Sequence, residues 1–196
     1  MRNHAQAIVA CDFCVAITAA FHILYVFVVI EHASRRLLHV NVTEHPTAEW
    51  TLHQLREAIS GDHAYRFLIH DRYSIFSQAL DRSIRHLGLR VLKTPPRHPQ
   101  ANSIGERVLG TLRREALDYV IPLTDNHLRR LLHEWVGHYN TGRPHMSVGP
   151  GLPQPPAAQP VALHTHRHRL PEHQRVVTSP ILSGLHHEYR LGKKAA

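Results

Sequence analysis

An almost uninterrupted apolar run from Ile8 to Ile30 constrains the fold of this 196-residue chain more than any other feature. Its length would allow a membrane span, but Asp12 and His22 interrupt it and no signal-peptide cleavage site follows. The run is rich in Val, Ile, Phe and Tyr, which favour β-structure. We therefore interpret it as two buried strands, with membrane insertion as the alternative.

Short apolar segments separated by turns predict a three-stranded antiparallel meander at the start of the chain. The three strands are predicted over Ile8–Thr18, Ile23–Ile30 and Arg36–Thr43. Helical spacing of the apolar residues then alternates with shorter strand-like runs. These segments are a helix between Pro46 and Gly61, a strand Phe67–Ile69, a helix Phe76–Leu87, a strand Leu89–Leu92, and helices over 101–120 and 125–139. This order predicts an α/β domain with a mixed five-stranded sheet flanked by helices.

The composition changes after Arg143-Pro144. Prolines cluster there, and a histidine-rich run, His164–His168, follows them. We predict one folded domain over residues 1–148 and a Pro/His-rich tail with little order over residues 149–196. The histidines of the tail, including His186-His187, are candidate Zn²⁺ or Ni²⁺ ligands, although we favour compositional drift as their explanation.

The two cysteines, Cys11 and Cys14, lie within the first predicted strand. Because side chains alternate between the two faces of a strand, this spacing points the two thiols apart. Zinc would also need four ligands, and the chain has no second cysteine pair. We therefore predict two buried free thiols.

The chain carries 23 Lys and Arg residues against 15 acidic residues, a formal charge of +8. Such an excess attracts polyanions and speeds their encounter with the protein. Nucleic acid is the favoured partner over an anionic membrane surface, because no basic amphipathic helix stands out.

Three acidic residues lie where strands and a helix are predicted to meet. Asp12 is inside the most apolar part of the chain, Asp71 ends the fourth predicted strand, and Glu106 lies in the first turns of the predicted long helix. Each alone is more often a solvated or capping group. Together they can converge on one sheet edge, and converged carboxylates repel one another unless cations neutralise them, as in a two-metal site.

Several segments of the chain resemble the DDE-type integrase core of bacterial insertion-sequence transposases and, more distantly, retroviral integrases. They are Ala10–Phe13, Leu24–Glu31, Ser34–Arg36, Phe67–Arg72, Pro99–Asn102, Glu106-Arg107, Gly110–Glu115, His138–Asn140 and Arg143–His145. The resemblance covers roughly residues 8–150, and the spacing of 35 residues from Asp71 to Glu106 is typical of the family. It implies a ribonuclease H-like fold in which Asp12, Asp71 and Glu106 are the catalytic and metal-binding residues.

The resemblance also implies an activity, a cofactor and partners. The activity would be metal-dependent cleavage and strand transfer of DNA in transposition, with two Mg²⁺ or Mn²⁺ ions at the scissile phosphate. The partners would be the element ends and target DNA, bound by a homo-oligomer. The expected location is the bacterial cytoplasm, on the nucleoid when DNA is bound, with no membrane association.

The predicted long helix adds candidate DNA contacts. At about 100° per residue, Asn102, Glu106 and Arg113 fall within about 40° of one another, while Ile104, Val108 and Leu112 form a different face suited to the sheet. Asn102 would orient the metal site or contact substrate. Arg107, Arg113 and Arg114 are candidate contacts to DNA phosphates, with a solvated helix surface as the alternative. Glu115 lies opposite Glu106 and is interpreted as structural.

Two features depart from the family pattern. Tyr73 stands two positions after Asp71, where the family usually has a small or turn-forming residue, and could distort that turn. Only eleven residues precede Asp12, whereas family members normally carry a helix-turn-helix segment there. We therefore expect a truncated or split transposase. The alternatives are a catalytically decayed DNA-binding remnant and a ribonuclease H-like nuclease that does not transpose.

Overall fold

The structure is a computed structural model that describes residues 2–59, 61–94, 102–146, 151–155, 170 and 173–193. The histidine-rich run His164–His168 and the start of the predicted long helix at residue 101 lie outside the described residues.

Three long strands form the antiparallel part of a sheet. They are β1 (Ile8–Ile17), β2 (Ile23–Glu31) and β3 (Leu37–Thr43). β1 pairs with β2 and β2 pairs with β3, and β2 is buried along most of its length. The apolar run therefore forms two buried strands, as predicted. In the described part of the chain, no helix has the length and apolar character needed to cross a membrane.

Two short strands extend the sheet in parallel. β4 (Phe67–His70) pairs with β1, and β5 (Arg90–Lys93) pairs with β4, which gives the order β3-β2-β1-β4-β5. The connections carry helices α1 (Ala48–Ala58) and α2 (Gln78–His86). The hydroxyls of Thr47 and Ser77 cap these helices by accepting a hydrogen bond from the backbone N–H three residues on. The predicted mixed five-stranded sheet is confirmed.

Helices cover both faces of this sheet. On one face, α1 and α2 pack against alternate residues of β1 such as Val9 and Cys11. On the other face, α3 (Ser103–Leu112) and α4 (Asp125–Thr141) pack against Ala10 and Cys14. The two cysteines are free and buried on opposite faces, as predicted.

The predicted helix over residues 101–120 is less regular than its apolar spacing indicates. The α-helical part ends at Leu112, and the chain continues through one wide turn of π-helix, Arg113–Leu117. In this turn the backbone N–H of Asp118 bonds to the carbonyl of Arg113, five residues back. The prediction of a single α-helix to Val120 is therefore wrong beyond Leu112.

The C-terminal segment contains a β-hairpin. Its strands are β6 (Gln174–Ile181) and β7 (His186–Lys193), joined by a 3₁₀ turn, Leu182–Gly184. Leu182 enters the core beside α4, and its backbone N–H donates to Glu134 Oε1 at 2.6 Å. The prediction of little order over residues 149–196 is thus wrong for residues 173–193. The hairpin has no core of its own, and it is held because Leu182 packs into the core of the main domain. The proposed boundary after residue 148 stays a prediction.

The docking of the hairpin is tested by Leu182→Ala. Leu182 is 4% exposed and shares the α4 core, so its truncation should lower the free energy of unfolding by about 2–5 kcal/mol in urea denaturation. Leu191→Ala is the matched control, since Leu191 lies in the same hairpin but is 56% exposed. Equal stability of the two variants would contradict the packing described above.

Candidate active site

The parallel pairing of β1 with β4 brings Asp12 and Asp71 together. Ala10 lies opposite Ile69 in this pair, so the same register sets Asp12, two residues on, at the level of Asp71. Opposed residues on neighbouring strands point to the same face, and the strands are about 5 Å apart. Both carboxylates therefore lie on the face of the sheet that α3 covers, where Ala10 also packs.

Asp12 is held by two hydrogen bonds. Its Oδ1 accepts from the backbone N–H of Phe13 at 2.8 Å, and its Oδ2 accepts from Nδ2 of Asn102 at 3.1 Å. Burial is the main cause that raises the pKa of Asp12 to about 7; the Phe13 bond opposes the rise, while the charges of Asp71 and Glu106 add to it. Asp71 and Glu106 thus both lie close enough to Asp12 to repel its carboxylate.

The start of α3 supplies the third side of the site. Asn102 precedes the first residue of α3 and is 3% exposed, with its amide against Asp12. Glu106 follows one turn later on the same helix face and is exposed. Gly105 leaves room for the amide, because a Cβ at this position would lie 2.8 Å from Asn102 Oδ1. The glycine therefore allows Asn102 to reach β1.

The donor set suits a hard divalent cation, which prefers carboxylate and amide oxygens. Asn102 Oδ1 is buried and has no hydrogen-bond partner among the described residues. Within the described ranges, however, no three acidic, histidine or cysteine side chains converge on a single metal position. The oxygen donors of the site are those that a metal ion prefers, and a cation would relieve the repulsion on the Asp12 carboxylate. The described residues do not form a closed coordination shell.

Comparison with known proteins bears on the fold that carries these residues. Residues 87–153 match the integrase core domain family, a stretch that includes Asn102 and Glu106 but neither Asp12 nor Asp71. A chain of the simian T-cell lymphotropic virus intasome, solved with PP2A regulatory subunit B56 gamma, has a similar fold, with a TM-score of 0.60 and 16% identity. The chain shares the fold of integrase and transposase catalytic domains.

Two further solved structures share this integrase-type fold. The Mos1 transposase catalytic domain, solved with raltegravir and Mg, gives a TM-score of 0.58 at 15% identity, covering 68% of this chain and 72% of Mos1. The catalytic core of BIV integrase gives 0.53 at 17% identity, covering 76% of this chain and 91% of that domain. These likenesses confirm the predicted ribonuclease H-like fold.

At these identities, what the chain shares with the solved structures is the fold. The match to the intasome chain covers 94% of this chain but 66% of the viral one, just under two thirds. No curated protein sequence matches the chain significantly.

Behind Asp71 lies a buried polar network that the sequence did not reveal. His70 is fully buried; its Nδ1 bonds to the carbonyl of Asp71 at 2.5 Å and its Nε2 to Oδ1 of Asp81 at 3.1 Å. Lys93 Nζ pairs with the other oxygen of Asp81 at 2.5 Å, and Phe76 stacks on the imidazole with centroids 4.1 Å apart. The network fixes the end of β4, and with it the position from which Asp71 projects.

Tyr73 does not distort the turn after β4. Its backbone N–H donates to Oδ1 of Asp71 at 3.0 Å, which closes a local turn through the aspartate side chain. Tyr73 is absent from the residues with positive φ, and its ring is 47% exposed. The turn therefore forms without a positive φ at Tyr73, and the possible distortion is not seen.

The arginines predicted to contact DNA point in different directions. Arg113 stays beside β1, where its Nη2 donates to the carbonyl of Val15 at 3.2 Å. Arg114 lies over Gly110, and Arg107 lines a pocket that does not contain the three carboxylates. Glu115 pairs with Arg143 at 2.7 Å, in agreement with its structural interpretation. DNA contact by the three arginines and by Asn102 stays a prediction.

The pKa of Asp12 predicts a pH-dependent stability in metal-free protein. Its folded value of about 7 lies above the ordinary 3.8, so the folded state holds this proton more tightly than the unfolded chain does. The stabilisation is therefore lost as pH rises from about 4 to about 7. In EDTA, Asp12→Asn should be more stable than the wild type by up to a few kcal/mol at pH 8, and equally stable near pH 4. Urea denaturation across this range measures the difference; Asp62→Asn, at an exposed position, should show none.

Gly105→Ala tests the contact between Asn102 and Asp12. The added Cβ would displace the Asn102 amide, so the variant should bind Mn²⁺ more weakly in calorimetry and gain no stability. Gly137→Ala is the control, because nothing lies within 4 Å of a Cβ there. That change, in the interior of α4, should increase the free energy of unfolding by about 0.5–1 kcal/mol and leave Mn²⁺ binding unchanged. An equal gain in stability from both changes would show that Asn102 does not need the space.

Proposed function

We propose that this chain is the catalytic core of a transposase, which cleaves DNA and transfers the cut strand in a metal-dependent reaction. The observation that carries the proposal is the meeting of Asp12 and Asp71 across the β1–β4 pair, with the charge of Glu106 acting on Asp12 from α3. The integrase-type fold supports the same reading. Asp12, Asp71 and Glu106 would be the catalytic and metal-binding residues.

The three carboxylates would hold two Mg²⁺ or Mn²⁺ ions, which supply charge stabilisation at the scissile phosphate. Asn102 orients the Asp12 carboxylate through its amide, and His70 fixes the backbone of Asp71. The buried position of β1 keeps Asp12 rigid, so these side chains meet substrate in a prepared arrangement.

The proposed reaction has two steps: hydrolysis of one phosphodiester bond, which leaves a 5′-phosphate, and then exchange of a second phosphodiester bond for a new one. A water oxygen attacks phosphorus at the element end and the 3′ oxygen leaves as a hydroxyl. That 3′-hydroxyl then attacks a phosphate of target DNA, where the displaced oxygen leaves as a new hydroxyl. The reaction needs no redox partner and no covalent link to the protein.

DNA is the proposed partner, both as element end and as target. The formal charge of +8 favours association with a polyanion. We propose that the chain acts as a homo-oligomer on DNA in the bacterial cytoplasm; the likeness to a chain from a viral intasome supports assembly on DNA.

A DNA-binding remnant without activity is the second candidate function. Two observations favour it: no three potential ligands among the described residues converge on a metal, and Oδ1 of Asp71 is already engaged by the Tyr73 N–H. Such a protein would keep the basic surface and lose the chemistry.

Cleavage of DNA from the flanks of the gene, with Mn²⁺, separates these candidates. The wild type should give nicked and strand-transfer products. Glu106→Gln should lower their yield by at least about 100-fold, since changes behind metal ligands alone cost about 10–100-fold. Glu49→Gln, an exposed change on α1 across the sheet, should leave the yield unchanged.

Three outcomes decide between the candidates. Loss of products in Glu106→Gln alone supports the transposase. Salt-sensitive DNA binding by the wild type without any cleavage would overturn the transposase proposal in favour of the remnant. Cleavage of RNA–DNA hybrids without strand transfer would indicate a ribonuclease H-like nuclease.

A further inference from the structure

A pocket of about 440 Å³ lies between the β2–β3 turn, α3 and the segment that follows α4. Each of these elements contributes one arginine to its lining: Arg35, Arg107 and Arg143. Arg107 immediately follows Glu106, and successive residues of a helix differ by about 100° around its axis. The pocket therefore does not include the three carboxylates.

Two of the three arginines lack a counterion in the described part of the chain. Arg143 is paired with Glu115 through Nη2 at 2.7 Å and Nε at 2.8 Å. Neither Arg35 nor Arg107 makes an ion pair with a described residue. Burial lowers the pKa of Arg35, and the positive charge of Arg107 lowers it further, so the two guanidinium groups repel each other.

Arg35 occupies an unfavourable backbone conformation. Its φ is 67°, in the left-handed region that costs a non-glycine residue about 1–2 kcal/mol. Its Nη1 is also buried without a hydrogen-bond partner among the described residues. A strained residue with an unpartnered buried donor destabilises the isolated protein, and such residues are concentrated at functional sites.

The remaining polar groups of the pocket add no opposing charge. Burial is the main cause that lowers the pKa of both His32 and His145, so these rings are largely neutral at pH 7. Tyr139 also lines the pocket, and burial raises its pKa to about 12, which keeps its hydroxyl neutral. The uncompensated charge is therefore that of Arg35 and Arg107.

We propose that this pocket, the Arg35–Arg107 pocket, binds one phosphate group of the DNA backbone outside the cleavage site. Guanidinium groups match phosphate oxygens in geometry and charge, and a single anion between the two would relieve their repulsion. The volume lies within the range of sites that take small ligands. The identity of the ligand as DNA rests on the proposed function, whereas the preference for an anion rests on the pocket alone.

The test is DNA binding followed by fluorescence anisotropy in EDTA, where no cleavage occurs. Arg35→Gln and Arg107→Gln should each weaken binding of a short duplex about tenfold and lower the slope of log affinity against log salt by about 1. The double variant should lose little more than either single variant, because both side chains contact the same phosphate. Arg85→Gln is the control, an exposed arginine on α2 across the sheet, and it should cause no such loss.

Two outcomes would overturn the proposal. One is that Arg35→Gln and Arg107→Gln weaken DNA binding no more than Arg85→Gln does. The other is that inorganic phosphate protects the wild type against thermal unfolding while the two arginine variants keep the wild-type salt dependence of DNA binding, which would indicate a site for free phosphate. Arg107→Gln keeps the test valid if Arg35→Gln fails to fold, since Arg107 is exposed.

A failure of the proposed function is distinguishable from a failure of the pocket. Absence of cleavage by the wild type, together with the expected losses in the arginine variants, would reject the catalytic proposal and retain the pocket.

Discussion

The parallel pairing of β1 with β4 is the contact on which the candidate site depends. β1 is the central strand, with β2 on one side and β4 on the other, and helices cover both of its faces. Its register against β4 sets Asp12 beside Asp71, residues that are far apart in the chain. The same pairing buries Asp12, so the position that brings the two carboxylates together also makes the charge of Asp12 costly. A bound cation would offset that cost, which couples metal binding to the stability of the sheet.

The polar groups around the site differ in how firmly they are held. Asp71 is fixed from behind by the His70 network and closes its own turn with Tyr73. Asp12 is fixed by the strand and by the Asn102 amide. Glu106 is exposed and has no comparable support among the described contacts. Two carboxylates are therefore set by the scaffold, and the third is the one whose side chain can adapt to an ion or to substrate.

The sheet and the helix order could be predicted from the sequence because they depend on local periodicity: two for the strands and 3.6 for the helices. The approach of Asp71 and Glu106 to Asp12 could also be predicted, since Asp12 interrupts an apolar run and Asp71 ends a strand, whereas their role in catalysis and metal binding stays a prediction. The pairing of Asp81 with His70 and Lys93 could not, because Asp81 looks like an ordinary helix-surface acid. The Arg35–Arg107 pocket depends on three separate elements, and the hairpin after residue 173 uses a core built by other residues. Contacts of this kind leave no local pattern in the sequence.

The wide π turn at Arg113–Leu117 ends the third helix and changes its angular register after Leu112. Before the turn, Asn102 and Glu106 face the β1 carboxylate. Within the turn, Glu115 holds Arg143, and its carbonyl contacts His186 of the hairpin at 2.6 Å. A π turn is equivalent to one residue inserted into an α-helix. Deleting a residue there would rotate everything downstream by about 100° and leave the upstream face in place. The number of residues in this turn therefore matters as much as their identity. A one-residue deletion would disturb the contacts of Glu115 with Arg143 and His186 and leave Asn102 and Glu106 in place, whereas a substitution would not change the register.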